Sequence, residues 1–213
     1  MTESAIPERH ALAVTVFSDY VCPFCYVADR RLARLGEQFD LEVTWRPIEI
    51  HPNTPPEGMP LADLGYPRDL WDKMMTHLVN MAAEEKIVLG ERTHTYNSHK
   101  ALLLSESARD AGGDTFTRLH GALFHAYLGQ GKNISDIDIL RAIATDAGMD
   151  EATFERALIE PEYENRLREN YVAARRHGVT GVPAFLIGDK VIAGAVPLNT
   201  LITAAQEAAM AAP

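Results

Sequence analysis

A chain of 213 residues, 46% hydrophobic and 23% charged, is long enough to bury a core as one large domain or as one domain carrying an insertion. Its formal net charge of −10 disfavours nucleic acid and anionic membranes as partners, because phosphate binding needs clustered Lys and Arg. No stretch approaches the ~20 uninterrupted apolar residues of a bilayer span, and the opening MTESAIPERHALAV lacks a basic segment followed by a long apolar run, so the expected compartment is the cytoplasm.

The first element, Leu12 to Asp19 (LAVTVFSD), alternates early and is rich in Val and Phe, as a buried strand is. Pro23 then suits the first turn of a helix, where its missing N–H costs nothing. From Cys25 the residues Ala28, Leu32 and Leu35 recur at helical spacing, with Arg30, Arg31 and Arg34 on other faces. Leu41 to Ile50 is a second strand, followed by a proline-crowded loop from His51 to Pro60. For about a hundred residues after it only helical spacing is legible, in segments near Pro67–Val88, Ser98–Ala111, Asp114–Leu128, Ser135–Ala147, Glu151–Leu158 and Glu162–His177. Ser135 with Asp138 reads as a helix start, and Gly112-Gly113 and Gly129 mark ends. Near the C-terminus, Ala184–Ile187 and Val191–Ala193 flank Gly188-Asp189, the signal of a two-residue hairpin, and Pro197 to Ala209 is a final helix.

Both cysteines, Cys22 and Cys25, fall in the first helical turn. Two cysteines cannot make a disulfide scaffold, so the pair is metal-binding or redox-active in a reducing compartment. A structural zinc site wants four ligands in two short pairs, and neither a second cysteine pair nor finger-spaced histidines exist, so no metal is expected; His120 and His125 read as helix-surface or core residues. The redox reading has a chemical basis. A thiolate at a helix N-terminus is favoured by free backbone N–H groups, which makes Cys22, at the exposed tip, the attacking sulfur; Cys25, facing the core, is the resolving one. Pro183 stands at the start of the hairpin, where no ladder N–H is needed and where an X-Pro bond makes a cis peptide cheap.

Strand, CPFC on a helix, then TGVPAFLI, a hairpin and a terminal helix together resemble the DsbA-like branch of the thioredoxin superfamily. The stretch Ser18, Asp19, Val21, Cys22, Pro23, Phe24, Cys25, Tyr26 is similar to that of its FrnE-like members, which read SDxVCPWCY. The resemblance implies an α/β thioredoxin fold with an all-helical insertion: a discontinuous thioredoxin-like domain of residues 1–60 and 166–213, and a helical domain of residues 61–165. It implies a thiol-disulfide oxidoreductase that reduces or isomerises protein disulfides, with no cofactor beyond its Cys22–Cys25 pair. In that family the proline matching Pro183 is cis and lies beside the cysteines. Val182 and Pro183 then form a substrate edge that receives an extended peptide, with Pro23 and Phe24 beside it.

Departures from the family shape the expected chemistry. The buried carboxylate that thioredoxins and the best-known DsbA proteins carry six residues before the first cysteine is here Val16. Asp19 is expected to cap the helix, with a proton-accepting role through water as the other option. Phe24 replaces the histidine of strongly oxidising relatives, which predicts a moderate potential. Two other readings remain. Kappa-class glutathione transferases and 2-hydroxychromene-2-carboxylate isomerases resemble this architecture, usually with serine at the position of Cys22, and would make glutathione a co-substrate. The stretch from Thr95 to Glu106 is similar to one that lines their pocket, although Asn97, Ser98 and His99 also fit a helix cap and first turn. The third reading is a non-catalytic binder of a soft metal ion or of unfolded chains, using Phe24, Tyr26 and Val182; Met59, Met74, Met75 and Met81 fit core filling better than that role. Partners are thus thiols or disulfides of proteins or small molecules, and a homodimer stays open.

Overall fold

Leu12–Ser18 forms the central strand β1 of a sheet assembled from the two ends of the chain; the computed structural model describes residues 11–211. β2 (Leu41–Pro47) runs parallel to it, with Val14 opposite Val43. On its other side β5 (Ala184–Ile187) is antiparallel, with Phe17 opposite Ala184, and β6 (Lys190–Ala193) closes the sheet. The strands order β2-β1-β5-β6, and β3 (Met59–Pro60) with β4 (His94–Thr95) forms a separate small ladder. Ile187 pairs with Lys190 across the two-residue Gly188-Asp189 turn, and Gly188 takes a φ of 57° that a glycine adopts without cost.

The period-2 pattern sorts β1 onto two faces. Val14 and Val16, with Phe185 and Ile187, pack against Ala28, Leu32 and Leu35 of helix α1 (Pro23–Gly36), and against Leu201, Ala204 and Ala205 of the last helix, α8 (Leu198–Ala211). Phe17 and Ala184 turn to the opposite face and meet Ile48 and Ala174 of α7 (Pro161–Arg176). Each such Val, Leu, Ile or Phe side chain contributes roughly 1.5–3 kcal/mol on burial.

Between the two halves of the sheet run α2 (Arg68–Glu84), α3 (His99–Ala108), α4 (Thr115–Phe124), α5 (Ile137–Asp146) and α6 (Glu151–Ile159), then α7. Leu102, Leu104, Leu119, Leu123, Phe124, Leu140 and Phe154 make their common core. Tyr20, Cys22, Cys25 and Tyr26 belong to that same cluster, so the turn from β1 into α1 lies where sheet and helices meet.

Four readings need correction. The middle segment contains a ladder, β3 (Met59–Pro60) with β4 (His94–Thr95), too short to show any periodicity. α2 stops before Val88 because Lys86 adopts a φ of 55°. α5 is capped by Asp136, whose carboxylate accepts from the Asp138 and Ile139 N–H groups; the Ser135 hydroxyl is engaged instead with Pro56 O and Asn133. Arg31 is only 2% exposed, held from three sides. Its guanidinium donates to Glu85 (2.9 Å), Glu84 (2.8 Å) and the carbonyls of Ala195 (2.7 Å) and Val196 (3.0 Å), tying α1 to the end of α2 and to the loop before α8.

Candidate active site

β1 ends at Ser18, and the chain turns through residues 19–22, with Cys22 N–H donating to the Asp19 carbonyl at 3.2 Å. Cys22 is the N-cap of α1 in extended conformation, Pro23 takes the first helical position, and Cys25 N–H donates back to Cys22 O at 3.0 Å. The two thiols are free and sit one turn-width apart at the start of the helix. Cys25 is 1% exposed, as its helical register predicts. Burial foremost, then the hydrogen bond and charge of Cys22, push the Cys25 thiol well above its ordinary range; the Asp19 N–H and Ser18 hydroxyl at its sulfur act the other way.

Cys22 is not an exposed tip: only 6% of its surface is accessible. The cause is the register of β5. Because Ala184 pairs with Phe17, residues 182 and 183 lie across the end of β1, and the Val182–Pro183 peptide bond is cis. Cys22 Sγ donates to the Val182 carbonyl at 3.7 Å, whereas the Pro183 carbonyl is taken by the Gly194 N–H at 2.7 Å. Residues 160 positions apart thus share one contact, and the structure brings Cys22, Cys25, Val182 and Pro183 together.

Cys22 and Val182 form the floor of an open groove of about 400 Å³. Its walls are Ile48, Ile50 and His51 after β2, Tyr66 and Met74 on the α2 side, and Tyr171 and Arg175 of α7. A narrower recess of about 80 Å³ continues past Pro23 and Phe24 to Trp71, Arg92 and Tyr127. Burial in the groove wall lowers the His51 pKa. Among the described residues no group of three or more His, Cys, Asp and Glu side chains is arranged to hold a metal ion.

Asp19 caps no helix. It is 1% exposed, and its two carboxylate oxygens accept from Ile50 N–H (2.9 Å) and Val21 N–H (3.3 Å), joining the cysteine turn to the groove wall. Burial pushes its carboxyl up to about 6, against the pull of those hydrogen bonds. The segment from Asn97 to His99 is more than a helix start. Asn97 Oδ1 does accept the His99 N–H at 2.9 Å, but the His99 ring bridges Glu49 (3.1 Å) and Glu164 (2.7 Å), and Asn97 Nδ2 donates to Glu49 (3.1 Å). Hydrogen bonding to Glu49 first, and to Glu164, raises the His99 pKa to about 9. The strap on the 48–51 wall was not visible as a pattern, since its three charged members come from three elements.

A DSBA-like thioredoxin domain model matches residues 13–206. The protein YwbO of Bacillus subtilis (strain 168) is 32% identical over 188 residues, covering 85% of this chain and 90% of that one. Two solved structures share the fold. A probable DsbA oxidoreductase of Streptomyces coelicolor superposes with a TM-score of 0.83 at 24% identity, covering 95% of this chain and 92% of that one. A 2-hydroxychromene-2-carboxylate isomerase gives 0.74 at 23% identity, with 92% and 95% covered.

Proposed function

The chain belongs to the DSBA-like thioredoxin domain family, and from that premise we propose that it is a dithiol oxidoreductase that reduces or isomerises protein disulfides. The observation that supports this most is the contact of Cys22 Sγ with the Val182 carbonyl at the floor of a groove, with Cys25 behind it in the core. The Cys22 thiolate, at the N-cap of α1, attacks one sulfur of a substrate disulfide; the other leaves as a thiolate and takes a proton from water. Cys25 then loses its proton and attacks Cys22, forming the Cys22–Cys25 bond and releasing the second substrate sulfur. Two electrons pass from the dithiol to the substrate; the reverse sequence oxidises it. Val182 offers its backbone to an extended segment, and Phe24 supplies an apolar contact beside the reacting sulfur.

The recess lined by Arg92, Tyr127 and Phe24 favours one second reading, a glutathione-dependent transformation of a small molecule. Reactivation of a scrambled, disulfide-bonded enzyme in a glutathione buffer separates the two. Reactivation that depends on Cys22 supports the disulfide reading. Its absence, together with turnover of a small electrophile, would replace that reading by the second one. Binding of unfolded chains that persists in Cys22→Ser without any turnover would leave the non-catalytic reading.

A further inference from the structure

The recess beside Phe24 contains a cation that the fold leaves without a partner. Arg92 lines it together with Cys22, and the Arg92 Nε is buried with no hydrogen bond. Among the described residues Arg31, Arg34, Arg109, Arg141 and Arg166 each hold a carboxylate, and Arg92 does not. A buried donor left unpaired costs stability, so it calls for a partner. Although the chain carries a net charge of −10, no Asp or Glu side chain lines the recess or the groove that leads into it. The position of Arg92 is fixed from both sides. Gly90 N–H donates to Leu128 O and Leu61 N–H donates to Thr93 O, each at 2.9 Å. Only glycine fits at Gly90, because a Cβ there would overlap the Gly129 carbonyl. Leu128 and Gly129 belong to a π-helical turn, His125–Gly129, that continues α4. The same turn delivers Tyr127, whose ring centroid lies 5.3 Å from the guanidinium carbon of Arg92. The Tyr127 hydroxyl is engaged with His94 O at 3.2 Å, so Tyr127 orients the cation and Arg92 keeps its donors for a ligand.

Resting on the oxidoreductase reading, we infer that this recess is a carboxylate site, and that the sulfur compound which Cys22 attacks carries an acidic group next to its reacting sulfur. The volume sets the class of group. At about 80 Å³ the recess is smaller than the ~150 Å³ cavity that admits a benzene ring, so it takes a short acid and not an aromatic one. The carboxylate supplies the missing partner through charge-assisted hydrogen bonds, which a planar guanidinium makes two at a time. The apolar walls from Leu61, Leu64, Trp71 and Met75 strengthen those bonds by keeping water from competing for them. In a protein substrate the acid is an Asp or Glu beside the cysteine that Cys22 attacks. In a small substrate it is the carboxylate of the thiol compound itself.

The test uses short peptides that differ only in Glu or Gln beside a cysteine, placed before it in one pair and after it in another, with the cysteine held as a mixed disulfide with 2-thiopyridine. The Cys22 thiolate of the reduced protein attacks the peptide sulfur, the Cys22–peptide disulfide forms, and the bond to the pyridyl sulfur breaks. The leaving thiolate takes a proton from water, and the pyridine-2-thione is followed by its absorbance in stopped flow. In at least one pair wild type should react roughly tenfold faster with the Glu peptide than with the Gln peptide. In Arg92→Gln that ratio should fall to about one, and in Arg92→Lys, which keeps the charge, it should fall only in part. The ratio within each protein is the reading, so a general loss of activity does not imitate the effect. Glutathione disulfide, compared with its ester in which the carboxylates are blocked, forms the small-molecule arm. A Glu preference that depends on Arg92 assigns the acid to a protein substrate. Equal peptide rates, with an Arg92-dependent preference for glutathione disulfide over the ester, keep the carboxylate site and remove the protein-disulfide reading. Ratios near one in both arms of wild type, or a preference that survives Arg92→Gln, overturn the site and leave the oxidoreductase reading standing. Thione release that does not depend on Cys22 removes that reading, and the site with it.

Discussion

Replacing Arg31 by methionine keeps the length of the side chain and deletes the guanidinium that joins three parts of the fold. The change leaves the Ala195 and Val196 carbonyls without their donor at 2.7 and 3.0 Å, and it leaves Glu85, whose side chain is 3% exposed, with Arg34 alone at 2.9 Å. Removing one partner of a buried pair costs about 3–5 kcal/mol, because the remaining charge stays desolvated. For a domain of this size that is a fall in Tm on the order of 6–20 °C. Urea unfolding at neutral pH measures it directly. A second arm uses the sign of the Glu85 shift. Burial pushes Glu85 up, but its bonds to Arg31 and Arg34 hold it below its ordinary value, so wild type gains stability above the unfolded carboxylate pKa and loses it as pH falls through the lower folded one. In Arg31→Met the share of that gain due to Arg31 is lost while Arg34 keeps the rest, and the gap to wild type should narrow below about pH 4. A loss under about 1 kcal/mol, or a gap independent of pH, refutes the reasoning.

His99 gives a pH signature of opposite sense. Its folded pKa of about 9 lies above the unfolded value of about 6.5, so the Glu49–His99–Glu164 strap contributes fully below about pH 6.5 and is lost as pH rises through about 9. Urea midpoints should therefore decline across that window in wild type and decline less in His99→Gln; parallel curves would contradict the strap. Phe24→His places a titratable ring between the cysteines, and the dithiol–disulfide potential measured against glutathione should rise, by ~30 mV for each ~1.4 kcal/mol of thiolate stabilisation. An unchanged or lower potential would show that the residue between the cysteines does not set it.

The sheet strands and both ends of the cysteine motif were legible because local chemistry writes them directly. Val and Phe alternate along β1, Pro23 opens α1, and Gly188-Asp189 closes a hairpin whose register then places Val182 on Cys22. What the sequence hid was set by tertiary packing. Arg31 reads as a surface charge at its helical position, yet its partners lie 50 or more residues away. Asp19 resembles a cap until the Ile50 N–H arrives from the loop after β2. Cys22 loses its exposure to a groove whose walls come from separate helices. His120 is surrounded by rings from the cysteine turn, β2 and α4 itself, and no spacing announces its contact with Tyr20.

Trapping tests the central claim most directly. In Cys25→Ala the attacking thiol remains and the resolving one is absent, so any disulfide that meets Cys22 stays attached. Expressed in its own cells and isolated under acid quench, this variant should carry reducible adducts to many proteins, and a Cys22→Ser control should carry none. Only glutathione on Cys22, or no adduct at all, would contradict a protein-disulfide oxidoreductase.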